Sequence, residues 1–340
     1  MGSMTKSLQL WVAAVAVSAV CGSAYAASFD CKLAKTSVEK AVCADKDLSA
    51  ADDKLAAAYK AALAAAPADV QVDIRANQRD WTRLERNQCA VGTPQPSQEI
   101  LVSCLTNAYK AQISALTKWV TQVGGTTFVQ RWKSERAKSS DASSATMAED
   151  PGYGTLTDTW PEALNSAPDW KTWNAEVKSK TLGTAKLDAD SDSDVTATID
   201  AVTPQIVAAS IENDFNGHGA AHPGESSVQL NWMLKEHRAL RVADVFKAGT
   251  NWAATIEARC MASIKTDVGA DYEDYLGKAK FAGALYGIVQ KPTNWQLTPQ
   301  GLTIVFQDYE VEPHAARPGN VTVPWSALQA YLNPGFVVPR

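Results

Sequence analysis

The sequence has no Gly-x-Ser-x-Gly element, no Cys-x-x-Cys pair and, past its first two dozen residues, no apolar run fit to cross a bilayer. Without the first, the exposed serine of a nucleophile elbow is missing. Without the second, and with no histidine near the clustered cysteines, a zinc site lacks ligands at workable spacing. Without the third, the mature chain is expected not to insert into a membrane. A basic excess is missing too: 32 Lys and Arg stand against 37 Asp and Glu, a net charge of −5. That excludes the cationic footprint of a nucleic-acid binder and suits a basic protein partner.

Three near-motifs fail on their details. Asp188, Asp190, Asp192 and Asp194 imitate the start of a calcium loop. Ser193, however, stands where the turn needs glycine, and Ile199 where a bidentate glutamate belongs. The stretch is read as a solvated loop. His218 and His222 have the spacing of a helical metal pair, yet Gly217 and Gly219 bracket His218 and no zincin glutamate follows. They are read as a turn, with His222 hydrogen-bonded beside a tight bend. Asp271, Glu273 and Asp274 are read as an exposed acidic face. No catalytic residue, metal or cofactor is assigned, and the chain is read as a binder rather than an enzyme. Any two carboxylates could still meet in space as a glycosidase pair, so that alternative stays open here.

What is present begins with an export signal. Lys6, the apolar stretch from Leu8 to Val20 and the small-x-small Ala24-Tyr25-Ala26 mark residues 1–26 as a signal peptide, with Ala27 as the mature start. Val20 is bulkier than a lipobox wants before Cys21, so a free periplasmic protein is favoured over a lipoprotein. Losing Lys6 takes the net charge from −5 to −6. Cys31, Cys43, Cys89 and Cys104 lie close together, and an oxidising compartment makes two disulfides of them. Three connectivities are open. Cys31–Cys43 with Cys89–Cys104 is favoured because each bridge closes a short loop beside a helix end, contributing about 3 kcal/mol in the chain-entropy account. Cys260 is left over as a buried, inert thiol.

Helical signals fill the cysteine-bearing stretch. Thr36 and Glu39 form a capping box, and the run Leu48 to Ala66 is rich in Ala, Leu and Lys before Pro67 stops it. Asp69 is expected to cap the next helix, which runs to about Gln88. Gly92, Pro94 and Pro96 make a loop. Ser97 then caps a last helix spacing Leu101, Leu105, Tyr109, Ile113, Leu116 and Val120 along one face. An all-α domain over 27–123 follows, and Ser139, Ser140, Ser143 and Ser144 mark a linker over 124–152.

The domain over 153–340 changes character. Trp170 and Trp173 sit in a short helical stretch, and strands are expected at Gln205–Ile211 and around Val228, Leu230, Trp232 and Leu234. A helix runs from about Asn251 to Ile264. Asn294 to Val311 folds as two strands about Pro299-Gln300-Gly301, and Val321 to Tyr331 closes with a strand and a helix. No βαβ rhythm repeats. The fold class is therefore α+β: a small disulfide-linked all-α domain followed by an α+β domain with a mainly antiparallel sheet.

Two stretches resemble known families. Phe29-Asp30-Cys31, Glu39, Cys43, Leu48 to Tyr59, Gln78-Arg79-Asp80-Trp81, Cys89 and Cys104 resemble the LprI-like lysozyme-inhibitor domain, across about Phe29 to Leu116. Arg86-Asn87 stands where that family usually has Arg-Asp. Farther on lie Gly219-Ala220-Ala221-His222-Pro223, Asn231, Leu240 to Phe246 and Trp295-Gln296-Leu297-Thr298. Phe306-Gln307-Asp308-Tyr309-Glu310-Val311, Glu312-Pro313-His314 and Val323-Pro324-Trp325 complete that set. Together they resemble the lysozyme-sensing domain of an anti-sigma factor, which also accompanies some peptidoglycan deacetylases. Ala220 replaces a second glycine of the usual form.

Both resemblances imply a lysozyme, or another muramidase, as the partner, with peptidoglycan as a second candidate. The expected function is a periplasmic lysozyme inhibitor that occludes the enzyme's cleft. One rival is an immunity protein against a muramidase toxin. Another is an envelope glycan-binding or scaffold module, supported only by the tryptophan excess at Trp160, Trp170, Trp173, Trp232, Trp252, Trp295 and Trp325. For the contact surface, a rigid loop is wanted. Glu312, Pro313, His314 and Arg317 lie in a segment whose prolines limit backbone freedom and whose Gly319 permits a tight exit. The second candidate is the Asn213 to Pro223 loop, with His218 at its tip and His222 beside it.

Overall fold

The computed structural model describes residues 27–91, 95–139, 152–268, 278–308, 310–311 and 319–340. The expected signal with Cys21, Gly92 and Pro94 lie outside the described residues. So do Ser140, Ser143 and Ser144, then Asp271, Glu273 and Asp274, and finally Glu312, Pro313, His314 and Arg317.

The helical unit is built from local signals. Helix α1 (Ser37–Ala44) opens on the capping box: Thr36 Oγ1 accepts from Glu39 N at 3.1 Å, and the Glu39 carboxylate accepts from Thr36 N at 2.9 Å. Helix α2 (Lys46–Ala65) starts at Asp45, which accepts from the N–H groups of Asp47 and Leu48, and stops before Pro67. Helix α3 (Val70–Trp81) runs on as a π turn over Thr82–Arg86. Helix α4 (Gln98–Thr117) starts at Ser97, whose hydroxyl accepts from Ile100 N. The bridges are Cys31–Cys43 and Cys89–Cys104, with Cα separations of 5.7 and 5.6 Å. Trp81 stands edge-on to Tyr109, centroids 5.2 Å apart, in a core with Val42, Leu48, Ile74 and Leu105.

Two expectations for this region change. Asp69 makes no cap bond: its backbone is already helical, and its carboxylate takes the Arg131 guanidinium at 2.8 Å. A charge-assisted bond outcompetes a single helix N–H. The stretch expected to be a linker begins as a hairpin, β1 (Val120–Val123) and β2 (Thr126–Lys138), turning at Gly124-Gly125. Both glycines have positive φ, +56° and +79°, as a tight hairpin requires. Val129 of β2 is fully buried in the helical core while Phe128 joins the next core. Alternate side chains of one strand thus stitch the two units together.

The described strands form a seven-stranded sheet in the order β1-β2-β3-β4-β5-β6-β7. The further members are β3 (Tyr153–Ala163), β4 (Ser191–Val202), β5 (Ile206–Gly217), β6 (Gly224–Met233) and β7 (Arg238–Ala239). Neighbours are antiparallel except β3 and β4, which run parallel through the crossover helix α5 (Pro168–Leu182). Helix α5 sets Trp170, Trp173 and Val177 against Val195, Ile211 and Leu230 on one sheet face. On the other face Ile206 and Ala208 enter a separate core. That core is covered by the three-stranded sheet β10-β9-β8, made of β8 (Trp295–Thr298), β9 (Gly301–Ile304) and β10 (Val321–Pro324). Short α6 (Val242–Val245), then α7 (Trp252–Val268), α8 (Lys278–Val289) and short α9 (Trp325–Leu328) complete it. Cys260 is buried there, its thiol pushed up to about 12 by desolvation and then by Glu257. The reading of Asp188 to Asp194 as a solvated loop is corrected in part: Asp192 and Asp194 belong to strand β4, because Ser191 to Val202 alternates with period two and pairs on both sides, while Asp188 and Asp190 precede it.

Candidate functional site

The two loops nominated from sequence are rooted at one place. Strand β5 ends at Gly217, so Asn213 to Gly217 is strand and only the turn from His218 to Pro223 leaves the sheet. The turn is tied inward. His218 Nε2 lies 3.2 Å from Asp192 Oδ2, its side chain is 5% exposed, and Asp192 Oδ1 accepts from Thr155 N and Oγ1. His218 therefore anchors the turn, whereas His222 is exposed, with Nδ1 2.8 Å from the Pro223 carbonyl.

Directly after the turn, β6 meets the segment that leads into residues 312–318. Gln307 Oε1 accepts from Ser227 N at 2.9 Å and Gln307 Nε2 donates to Ser227 O at 2.8 Å. Two residues away along β6, Asp308 Oδ2 accepts from Glu225 N at 3.0 Å. The Gln307 amide thus satisfies the strand as a neighbouring strand would. Glu212, Asp214, Glu225, Val305, Gln307 and Asn320 line a pocket of about 100 Å³ at this junction. Ser226, Ser227 and Phe306 complete its lining, so three of its nine residues are acids.

Strand register sets acids side by side beside this junction. Asp194 of β4 is directly opposite Asp214 of β5, which is directly opposite Glu225 of β6. Asp194 is held above the usual carboxylate range by desolvation, then by Asp192 and Asp214, with a Thr157 hydrogen bond working against them. Glu85, in the π turn after α3, is likewise raised, by desolvation and then by Asp194. The helical unit packs on the sheet where α3 meets β2. It is held there by Arg131, which reaches Asp69 at 2.8 Å and Asp73 at 3.0 Å, and by Arg136, 3.7 Å from Asp80. Arg131 lowers Asp69, whereas at Asp73 burial outweighs it and the carboxyl is raised.

Among the described residues no group of His, Cys, Asp and Glu is placed to hold a metal ion, and no helix is long and apolar enough to cross a membrane. Residues 31–116 match the family model described as Lysozyme inhibitor LprI. Residues 243–326 match the model of a protein of unknown function, DUF3298. The LprI-type segment is the disulfide-linked helical unit from Cys31 through α4, and the DUF3298 segment carries β8, β9 and β10 and the Gln307 contact. Neither description names an enzymatic activity. A DUF3298 family protein from Pseudomonas aeruginosa is similar at 15% identity and a TM-score of 0.41, covering 62% of this chain and 97% of its own. A member of the same family from Bacteroides fragilis is similar at 14% identity and 0.41, covering 63% and 96%. No curated protein matches.

Most residues carrying the two resemblances have structural work in this fold. Trp81 and Trp295 are buried, and Asn231 Nδ2 donates to Trp295 O at 2.7 Å. The Trp325 indole donates to Thr298 O, closing the β8–β9 hairpin. The acidic row was missed from sequence. Its one signal was the alternation Ser191-Asp-Ser-Asp-Val-Thr-Ala-Thr, which has the period of a strand.

Proposed function

We propose that this chain is a periplasmic inhibitor of lysozyme, or of a related muramidase, that works by covering the enzyme's glycan cleft. The match of residues 31–116 to a lysozyme-inhibitor family carries the reading. It agrees with the net acidity of the chain, with two disulfides suited to an oxidising compartment, and with the export signal expected over residues 1–26. The covering element is the segment Glu312, Pro313, His314 and Arg317, entered from the Gln307 anchor, with His222 on the neighbouring turn. An immunity protein against a muramidase toxin would use the same surface. The glycan-binding reading loses its support, because Trp160, Trp170, Trp173, Trp232, Trp252, Trp295 and Trp325 are each 9% exposed or less and serve as core.

The test is cell-wall lysis by lysozyme with and without the exported chain. Slowed lysis in proportion to added protein is expected. Pro313→Gly combined with His314→Ala should weaken inhibition at least tenfold, about 1.4 kcal/mol. Retention on insoluble peptidoglycan with no slowing of lysis would sink the inhibitor reading.

A further inference from the structure

Residues 27–31 are fastened to the helical unit one by one. Ala27 and Phe29 pack against its core. Ser28 N and Ser28 Oγ both donate to Asp52 Oδ2, at 2.7 and 2.6 Å. Asp30 accepts from Lys32 N at the start of a short 3-10 turn, and Cys31 is bridged to Cys43 of α1. Asp52, on α2, is 4% exposed and turns its other oxygen, Oδ1, to the Tyr109 hydroxyl of α4 at 2.7 Å. All of these donors are neutral. A carboxylate taken out of water is costly unless it is hydrogen-bonded and paired with a cation. Among the described residues no lysine, arginine or histidine forms an ion pair with Asp52, and Arg86 acts instead at the Tyr109 hydroxyl.

Cleavage after Ala26 puts a new α-amino group on Ala27, one residue before the peptide N–H that Asp52 already holds. Consecutive peptide nitrogens lie at most about 3.6 Å apart. The Ser28 N–H is 2.7 Å from Asp52 Oδ2, so the amine comes within about 6 Å of that oxygen. At this distance opposite charges favour the ionised form of both groups. We propose that Asp52 is the seat of the processed amino terminus, and that removal of the export signal locks the helical unit by giving this buried carboxylate its counter-charge. In the uncleaved chain the same nitrogen is a neutral amide. Cleavage therefore leaves the contacts of Ser28 in place and turns a neutral neighbour of Asp52 into a cation. Because Asp52 also holds Tyr109, the gain is felt across α2 and α4. Removal of a terminal segment is a recognised kind of switch, with a local charge change and a wider readout. The proposal rests on the export signal expected over residues 1–26 and needs no lysozyme contact.

The first measurement is the mass of the exported chain, which should correspond to a start at Ala27. That chain is then compared with the same chain carrying Gly-Ser ahead of Ala27, each with and without Asp52→Asn. The extended form should melt roughly 2–4 °C lower and exchange its Ser28 amide at least tenfold faster. In the Asp52→Asn background the difference should vanish. A merely structural hydrogen bond to Ser28 would leave the two forms equal in both backgrounds. The Ala27 amine should titrate above its ordinary range of about 7.7–8.0 and return to it in Asp52→Asn. If Asp52→Asn does not fold, acetylation of the Ala27 amine removes the charge in the parent and should reproduce the loss. An exported chain that starts elsewhere than Ala27 overturns the premise. A chain that starts at Ala27, yet melts, exchanges and titrates as if Asp52 were absent, overturns the seat and leaves the export signal standing. Neither result touches the inhibitor reading, which the lysis assay tests separately.

Discussion

The side chain of Gln307 stands in for a strand beside Ser227, making both hydrogen bonds that a neighbouring backbone would make. Gln307→Ala removes the pair and leaves the Ser227 N–H and carbonyl to water. A loss of about 1–3 kcal/mol is expected, with faster amide exchange at Ser227 and Glu225. Lysozyme inhibition should fall with it, since the segment after Asp308 loses its anchor. Unchanged exchange at Ser227 would show that the amide is not its partner in solution.

Tyr109 and Asp52 make a second such pair. The Tyr109 hydroxyl donates to Asp52 Oδ1 at 2.7 Å, and Asp52 Oδ2 accepts from Ser28 N at 2.7 Å and from Ser28 Oγ at 2.6 Å. Burial first, then this hydrogen bond, holds the phenol well above its ordinary range. Tyr109→Phe strips one donor from a buried carboxylate and should cost about 1.5–3 kcal/mol in a urea melt. Ser28→Ala should act on the same carboxylate and be non-additive with it.

Asp158, 1% exposed, and Asp200 are both pushed up to about 6 by desolvation. At Asp200 the Ser210 and Gln296 hydrogen bonds pull the other way and lose. A carboxyl whose folded pKa lies above its unfolded value near 3.8 binds its proton more tightly when folded. Its stabilisation is complete below pH 3.8 and is lost as pH rises through about 6. Asp158→Asn with Asp200→Asn should therefore flatten the decline in stability between pH 4 and pH 6.5. A variant whose thermal-melt profile keeps the parent's slope there would refute this assignment.

Reduction of the two disulfides should lower the stability of the helical unit by about 3 kcal/mol per bridge. Because Trp119 and Val129 are buried in the helical core, protection at β2 should fall as well. Strands β8 to β10, in a separate core, should keep theirs. Hydrogen exchange with and without reductant reads all three.

Gly301 follows the β8–β9 turn, and a Cβ there would come within 2.3 Å of the Val323 carbonyl oxygen. The obstacle is backbone of the paired strand β10, which yields only by moving the sheet. Gly301→Ala should cost about 1–3 kcal/mol by overpacking and lower the melting temperature without changing the disulfides.

The helical unit was legible because its signals act within a few residues. Thr36 and Glu39 cap across three positions, Pro67 ends a helix by its own ring, and a bridge of separation 12 or 15 joins cysteines that the chain already holds near each other. The Pro299-Gln300-Gly301 turn was legible for the same reason. What the sequence by itself determined is thus the local elements, their sheet-rich or helical character and the residues carrying the family likeness. Tertiary structure decided the rest. Whether Asp69 caps a helix or binds Arg131 depends on a residue 62 positions away. Whether Asp194 is solvated or part of an acidic row depends on pairing with Asp214 and, through it, Glu225. Periodicity reports which residues share a face, but a shift of one position in register would send every one of them to the other side. That choice is made only when distant strands meet and bury their apolar faces together.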